Sequence, residues 1–93
     1  MLPSPPATPL RRWLERHPGL TLAAFGERLD ARLKQPAGTT SSASLAQWAT
    51  GAHVPRAEVQ LAMSAVTGGE VSPLAWTEWE ARRARAVKSR KSA

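Results

Sequence analysis

A chain of 93 residues, 42% hydrophobic and 22% charged, makes one small domain with little room for a deep catalytic cleft. It contains no cysteine, which excludes disulfides and thiolate metal sites and makes a cytoplasmic setting the simpler expectation. Its 13 Lys and Arg against 7 Asp and Glu leave a net charge of +6, so polyanions are the expected partners.

Residues 1–8 are rich in proline, which predicts a flexible, extended arm, and they lack the basic start and apolar run of a signal peptide. No apolar stretch approaches membrane-spanning length, so no membrane partner is expected. Thr8-Pro9 reads as an N-cap with proline at the first helical position, and Leu10, Trp13, Leu14 and His17 form one stripe that Pro18-Gly19 ends. Thr21 caps a second helix running to about Lys34, with Leu22, Phe25, Leu29 and Leu33 at three- and four-residue spacing. Gly26 inside it costs about 0.5–1 kcal/mol relative to alanine, which predicts another element packed close at that point. Gln35 to Thr39 is a turn-rich connector. A third helix follows over about residues 41–50, with Leu45, Trp48 and Ala49 facing inward and Gly51 as its stop. Pro55 opens a fourth helix, with Val59, Ala62, Met63 and Val66 inward and Gly68-Gly69 as its end. Ser72-Pro73 repeats the cap-then-proline start, and the fifth helix carries Leu74, Trp76 and Trp79 before grading into Arg and Lys. No strand alternation or internal repeat competes, so the expected fold class is all-α, with five short helices.

The third helix carries the most informative surface. Turning Leu45, Trp48 and Ala49 inward turns Ala43, Ala46, Gln47 and Thr50 outward, a slim and uncharged face with one amide able to donate and accept together. Solvent-facing helices usually carry Glu and Lys instead. A helix that enters the major groove needs this slimness, and Gln matches the donor and acceptor on an adenine edge. Between Lys34 and Arg56 there is no charged residue, whereas Arg82, Arg83, Arg85, Lys88, Arg90 and Lys91 crowd the end of the chain. Electrostatic attraction and base reading thus fall to different segments, the basic tail supplying affinity without sequence preference.

The order of these tokens resembles the Cro/CI/Xre-type helix-turn-helix repressors of phages, plasmids and bacterial chromosomes. The matching residues are Leu20-Thr21, Phe25-Gly26, Leu29, the run Ser41 to Trp48, Gly51, Val54-Pro55, and Val66 to Val71 leading to Trp76, together about residues 20–76. The resemblance implies a five-helix, lambda-repressor-like helix-turn-helix domain over residues 9–81, between the arm at 1–8 and a basic tail at 82–93. It implies base reading by Ser42, Ala43 and Gln47. It implies phosphate contacts from Thr21, Thr40, Ser41, His53 and Arg56, those at the helix start aided by free N–H groups. A homodimer on an inverted-repeat operator in double-stranded DNA, repressing transcription by occupancy, completes what the family implies. One departure stands out: Asp30 occupies the position where the family often has Gly, and the stretch to Thr39 lengthens the connection. The apolar phase through Leu33 predicts a longer second helix, with Lys34 or the loop as an added phosphate contact.

The remaining chemical groups of the chain offer little for other roles. The carboxylates, Asp30 included, sit among arginines or at helix starts, where salt-bridge or dipole roles are ordinary. No Gly-rich phosphate loop or nucleophile-base motif is present, so neither enzymatic activity nor a cofactor is expected. His17 and His53 lack companions for a metal site. Trp13, Trp48 and Trp76 read as core. Trp79, flanked by Glu78 and Glu80, reads as the exposed one, a candidate for closing a dimer. The alternatives are an antitoxin-type autoregulator whose tail binds a protein partner, an adaptor that does not read DNA itself, and nonspecific nucleic-acid binding through the tail.

Overall fold

The computed structural model describes the backbone from Ala7 to Lys91 and side chains as far as Ala86. Within it the chain folds into α1 (Pro9–Glu15), α2 (Leu22–Arg32), α3 (Ser42–Thr50), α4 (Ala57–Val66) and α5 (Pro73–Lys91), with no strand among the described residues. None of these helices is long and apolar enough to cross a membrane. The first six residues of the expected arm lie outside the described residues. Thr8, placed at the end of that arm by the sequence, belongs instead to the fold and is almost fully buried.

Local capping sets the starts of the helices. Thr8, Thr21 and Ser41 each take extended backbone and accept the N–H of the residue three positions on, which satisfies one of the donors a helix start leaves open. Ser72 does the same for Ala75 ahead of α5. The fourth helix differs from expectation. Arg56 is its N-cap and makes no side-chain cap bond, while Pro55 lies buried before it and accepts from Gln60 Nε2 at 2.7 Å.

The apolar stripes converge on one core made of Leu10, Trp13, Phe25, Leu29, Leu45, Val59, Ala62, Met63, Val71, Trp76 and Trp79. α2 lies at the centre of the packing, against both α3 and α4, while α1 joins α3 to α5 and α4 also packs on α5. Gly26 behaves as its position predicts. A Cβ there would stand 3.1 Å from the Thr40 carbonyl and 3.2 Å from Leu45 Cδ1, so the glycine lets the start of α3 close onto α2. His17, just past α1, stacks on Trp13 with ring centroids 4.0 Å apart and bonds the Trp13 carbonyl through Nδ1. Leu61 and Leu74 remain largely exposed.

Two expectations about tryptophan change. Trp48 is only partly buried, lying over the edge of the core rather than within it. Trp79 is buried at 4% exposure, edge-on to Trp76 at 6.1 Å between centroids, because α5 turns that ring toward the end of α3. The surface dimer contact expected of Trp79 therefore does not stand.

Candidate nucleic-acid interface

The approach to α3 begins with the end of α2. The helix stops at Arg32, about half a turn before Lys34, because Lys34 takes a left-handed conformation (φ 56°) and Gln35 N–H turns back to the Asp30 carbonyl at 3.0 Å. This brings the connector over the Asp30 side chain, which is 1% exposed. Its carboxylate accepts from Gln35 Nε2 at 2.8 Å, Gly38 N–H at 2.9 Å, Thr40 N–H at 3.0 Å and the Thr40 hydroxyl at 2.6 Å. Burial by itself would push this carboxyl upward. The bonds from the Thr40 hydroxyl and the Gln35 amide, reinforced by the N–H groups of Thr40 and Gly38, outweigh it and hold the group below the ordinary carboxylate value. All its donors are neutral, so the salt-bridge or dipole role expected of Asp30 is corrected: it is the buried organiser of the connector. Thr40 is held by this network immediately before the N-cap of α3.

The other end of α3 is fastened by residues far away in the chain. The last carbonyls of a helix have no partner within it. Here the Thr8 hydroxyl donates to the Ala49 carbonyl at 2.7 Å, and Arg83 Nη1 donates to the Gly51 carbonyl at 3.0 Å. The Arg83 guanidinium also lies over the Trp79 ring, 5.4 Å from its centroid. Gly51 ends α3 in a left-handed conformation (φ 86°), and a Cβ there would meet Trp79 Cζ2 at 2.8 Å and Cη2 at 2.9 Å. The glycine serves both the turn and the close approach of the tryptophan.

Between these two fastenings α3 leaves a clear face. Ser42, Ala43, Ala46, Gln47 and Thr50 are all exposed, while Leu45 is buried and Ser44, Trp48 and Ala49 are partly buried. The face has the slim, uncharged character expected of it, and Gln47 has a free path to solvent. Ser41 caps the helix from an exposed position and also donates to Ser44 Oγ at 3.1 Å. Thr21 is exposed at the start of α2, and His53 and Arg56 are exposed beyond the end of α3. Arg56 shares a hollow with Gln35, Thr39, Thr40, Ser44, Trp48 and Val59 along one flank of α3.

Two predicted site residues are placed differently from expectation. The Thr40 hydroxyl and N–H both point to Asp30, so this residue acts inside the connector rather than presenting its donors to a ligand. Arg83, though exposed, spends a guanidinium N–H on the Gly51 carbonyl at the end of α3. The described basic residues Arg82, Arg83 and Arg85 therefore have different surroundings. α5 continues as a helix through them, Arg82 lines a mixed-charge hollow with Arg12, Arg16, Glu15, Glu70 and Glu78 between α1 and α5, and Arg85 is exposed. The side chains of Lys88, Arg90 and Lys91 lie outside the described residues.

The run from Asp30 to Thr40 held a hint of the connector network, since an aspartate followed by Gly and Thr in a turn-rich stretch is suited to accepting loop N–H groups. No local signal marks Arg83 as the partner of Gly51. Comparison with family models, with curated proteins and with solved structures finds no match to this chain.

Proposed function

We propose that this chain is a sequence-specific double-stranded DNA-binding protein of helix-turn-helix type, in which α2, the connector and α3 present α3 to the major groove. The observation that carries the reading is the exposed, uncharged face of α3 held firmly at both ends. A reading helix needs a surface slim enough for its backbone to approach the bases and a frame stiff enough to fix register. Ser42 and Ala43 at the helix start and Gln47 one turn along are the base-facing residues. Exposed Thr21, Ser41, His53 and Arg56 offer hydroxyls, an imidazole and a guanidinium suited to phosphate oxygens.

The role in the cell that fits this chemistry is a repressor that occupies an operator and excludes polymerase. A single helix of this length reads only a few base pairs, so a homodimer on an inverted repeat is part of the proposal. The test is selection of duplexes from a randomised pool by the whole chain, followed by anisotropy titrations of the retained duplex and a scrambled one. Wild type is expected to enrich a two-fold sequence. Gln47→Ala with Ser42→Ala is expected to lose about 1–3 kcal/mol of discrimination at the positions each residue faces. Unchanged sequence preference in the double variant would remove α3 from the reading role.

A further inference from the structure

Among the described basic residues of α5, Arg83 is the one whose guanidinium meets the end of α3. We propose that Arg83 is a positioning residue for the reading helix, so that α5 sets the angle at which α3 is presented; this rests on the duplex-reading proposal above. The argument is geometric. Arg83 is 32 positions from Gly51, yet its Nη1 meets the Gly51 carbonyl at 3.0 Å while the guanidinium carbon lies over the Trp79 ring, 5.4 Å from its centroid. Trp79 in turn lies against Gly51 closely enough to exclude a Cβ. A cation at the negative end of a helix also interacts favourably with its dipole.

Together with Thr8 on the Ala49 carbonyl, this makes a clamp at the C-terminal end of α3, built from α1 and α5. The clamp is independent of the Asp30 network at the other end. α3 can pivot about its N-terminal fastening only if the C-terminal clamp opens. Opening it leaves the core contact of Leu45 in place and swings Gln47, one turn before the clamp, away from its register. Arg83 therefore governs sequence discrimination, while Arg85 and the basic residues beyond it govern salt-dependent attraction.

The test uses the whole chain, the duplex that wild type retains from the randomised pool, and a scrambled duplex of equal length. Amide hydrogen exchange of the free protein reads the clamp without any DNA. In Arg83→Ala, exchange at Ala49, Thr50 and Gly51 is expected to rise about tenfold while α2 and α4 stay as in wild type. Preference for the retained duplex over the scrambled one falls about tenfold, and the slope of log affinity against log salt is unchanged. Arg85→Ala gives the opposite pattern, with the slope reduced by about one unit and preference intact.

If Arg83→Ala fails to fold, Arg83→Lys keeps the charge but not the guanidinium fork that reaches the Gly51 carbonyl beside Trp79. It is expected to lose preference at unchanged slope, whereas a phosphate-contacting Arg83 would leave both unchanged. A slope reduced by about one unit in Arg83→Ala with preference retained overturns the proposal. So does a uniform rise in exchange across all helices, which marks general destabilisation. Wild type with no preference for any duplex sinks the reading role of α3 and the positioning role with it, while the exchange pattern still reports separately whether Arg83 holds the helix end.

Discussion

Replacing Asp30 by Asn removes one charge and almost no volume, which isolates the electrostatics of the connector. Four donors converge on the wild-type carboxylate: the Gln35 amide, the Gly38 and Thr40 N–H groups, and the Thr40 hydroxyl. The asparagine oxygen can replace Oδ1, which faces Thr40 and Gln35, but the NH2 group then stands where Oδ2 accepts from Gly38 N–H. A buried donor left facing another donor costs about 1–3 kcal/mol, and the bonds that remain lose their charge assistance. The sum is about 2–4 kcal/mol, or roughly 10–25 °C in Tm for a domain of this size.

The pH dependence gives the same prediction a second signature. The folded carboxyl lies below its ordinary value of 3.8, so the stabilisation it supplies is complete above that pH and is lost as pH falls from there through the folded value. Urea unfolding of wild type and Asp30→Asn from pH 7 to pH 2.5 is therefore expected to show a constant gap down to about pH 5 that narrows below pH 4. A loss under about 1 kcal/mol at pH 7 would refute the account, because burial without those bonds predicts no large cost. A gap that persists undiminished at the acid end would refute it equally, since asparagine does not titrate.

Gly51→Ala is expected to cost about 2–4 kcal/mol by thermal denaturation, combining left-handed strain with a clash against a buried ring. Gly38→Ala, where φ is 90° but no atom lies within 4 Å of the added Cβ, is its control and carries only the strain, about 1–2 kcal/mol. Equal losses at the two glycines would remove the contact of Trp79 from the explanation. Truncation after Ala86 deletes Lys88, Arg90 and Lys91 while sparing Arg83, and is expected to reduce the salt slope by about two to three units in anisotropy titrations without changing which duplex is preferred. A changed preference would mean that the end of α5 takes part in reading.

Much of the scaffold was legible in short stretches of the chain. Thr8-Pro9, Thr21, Ser41 and Ser72-Pro73 mark helix starts because a cap acts within three residues, and the Leu and Phe spacing marks the buried sides because helical periodicity is local. Gly26 announced a close neighbour for the same reason, since its cost lies in its own helix. The outward face of α3 followed from the same periodicity, and the expected base-facing residues Ser42, Ala43 and Gln47 lie exposed on it. The structure departs from the local pattern where two signals compete within a few residues. The apolar phase of Leu33 argued for a helix continuing to Lys34, but the left-handed turn at Lys34, closed by Gln35 on the Asp30 carbonyl, ends it sooner. Pro55 reads as a helix start, yet the chain uses it as a buried approach to the N-cap at Arg56.

The pattern of caps and apolar spacings was enough to specify five helices and the face of α3 left to solvent, because each of those features depends on interactions within about one helical turn. It could not tell which carbonyls at the end of α3 would be met, or by whom. Thr8 reaches Ala49 across 41 positions and Arg83 reaches Gly51 across 32, distances over which side-chain type carries no directional information until the core has set the crossing of α1, α3 and α5. Packing at that crossing turned Trp79 inward and made Arg83 part of the frame that holds α3, separating it from the other basic residues beside which it stands in the sequence.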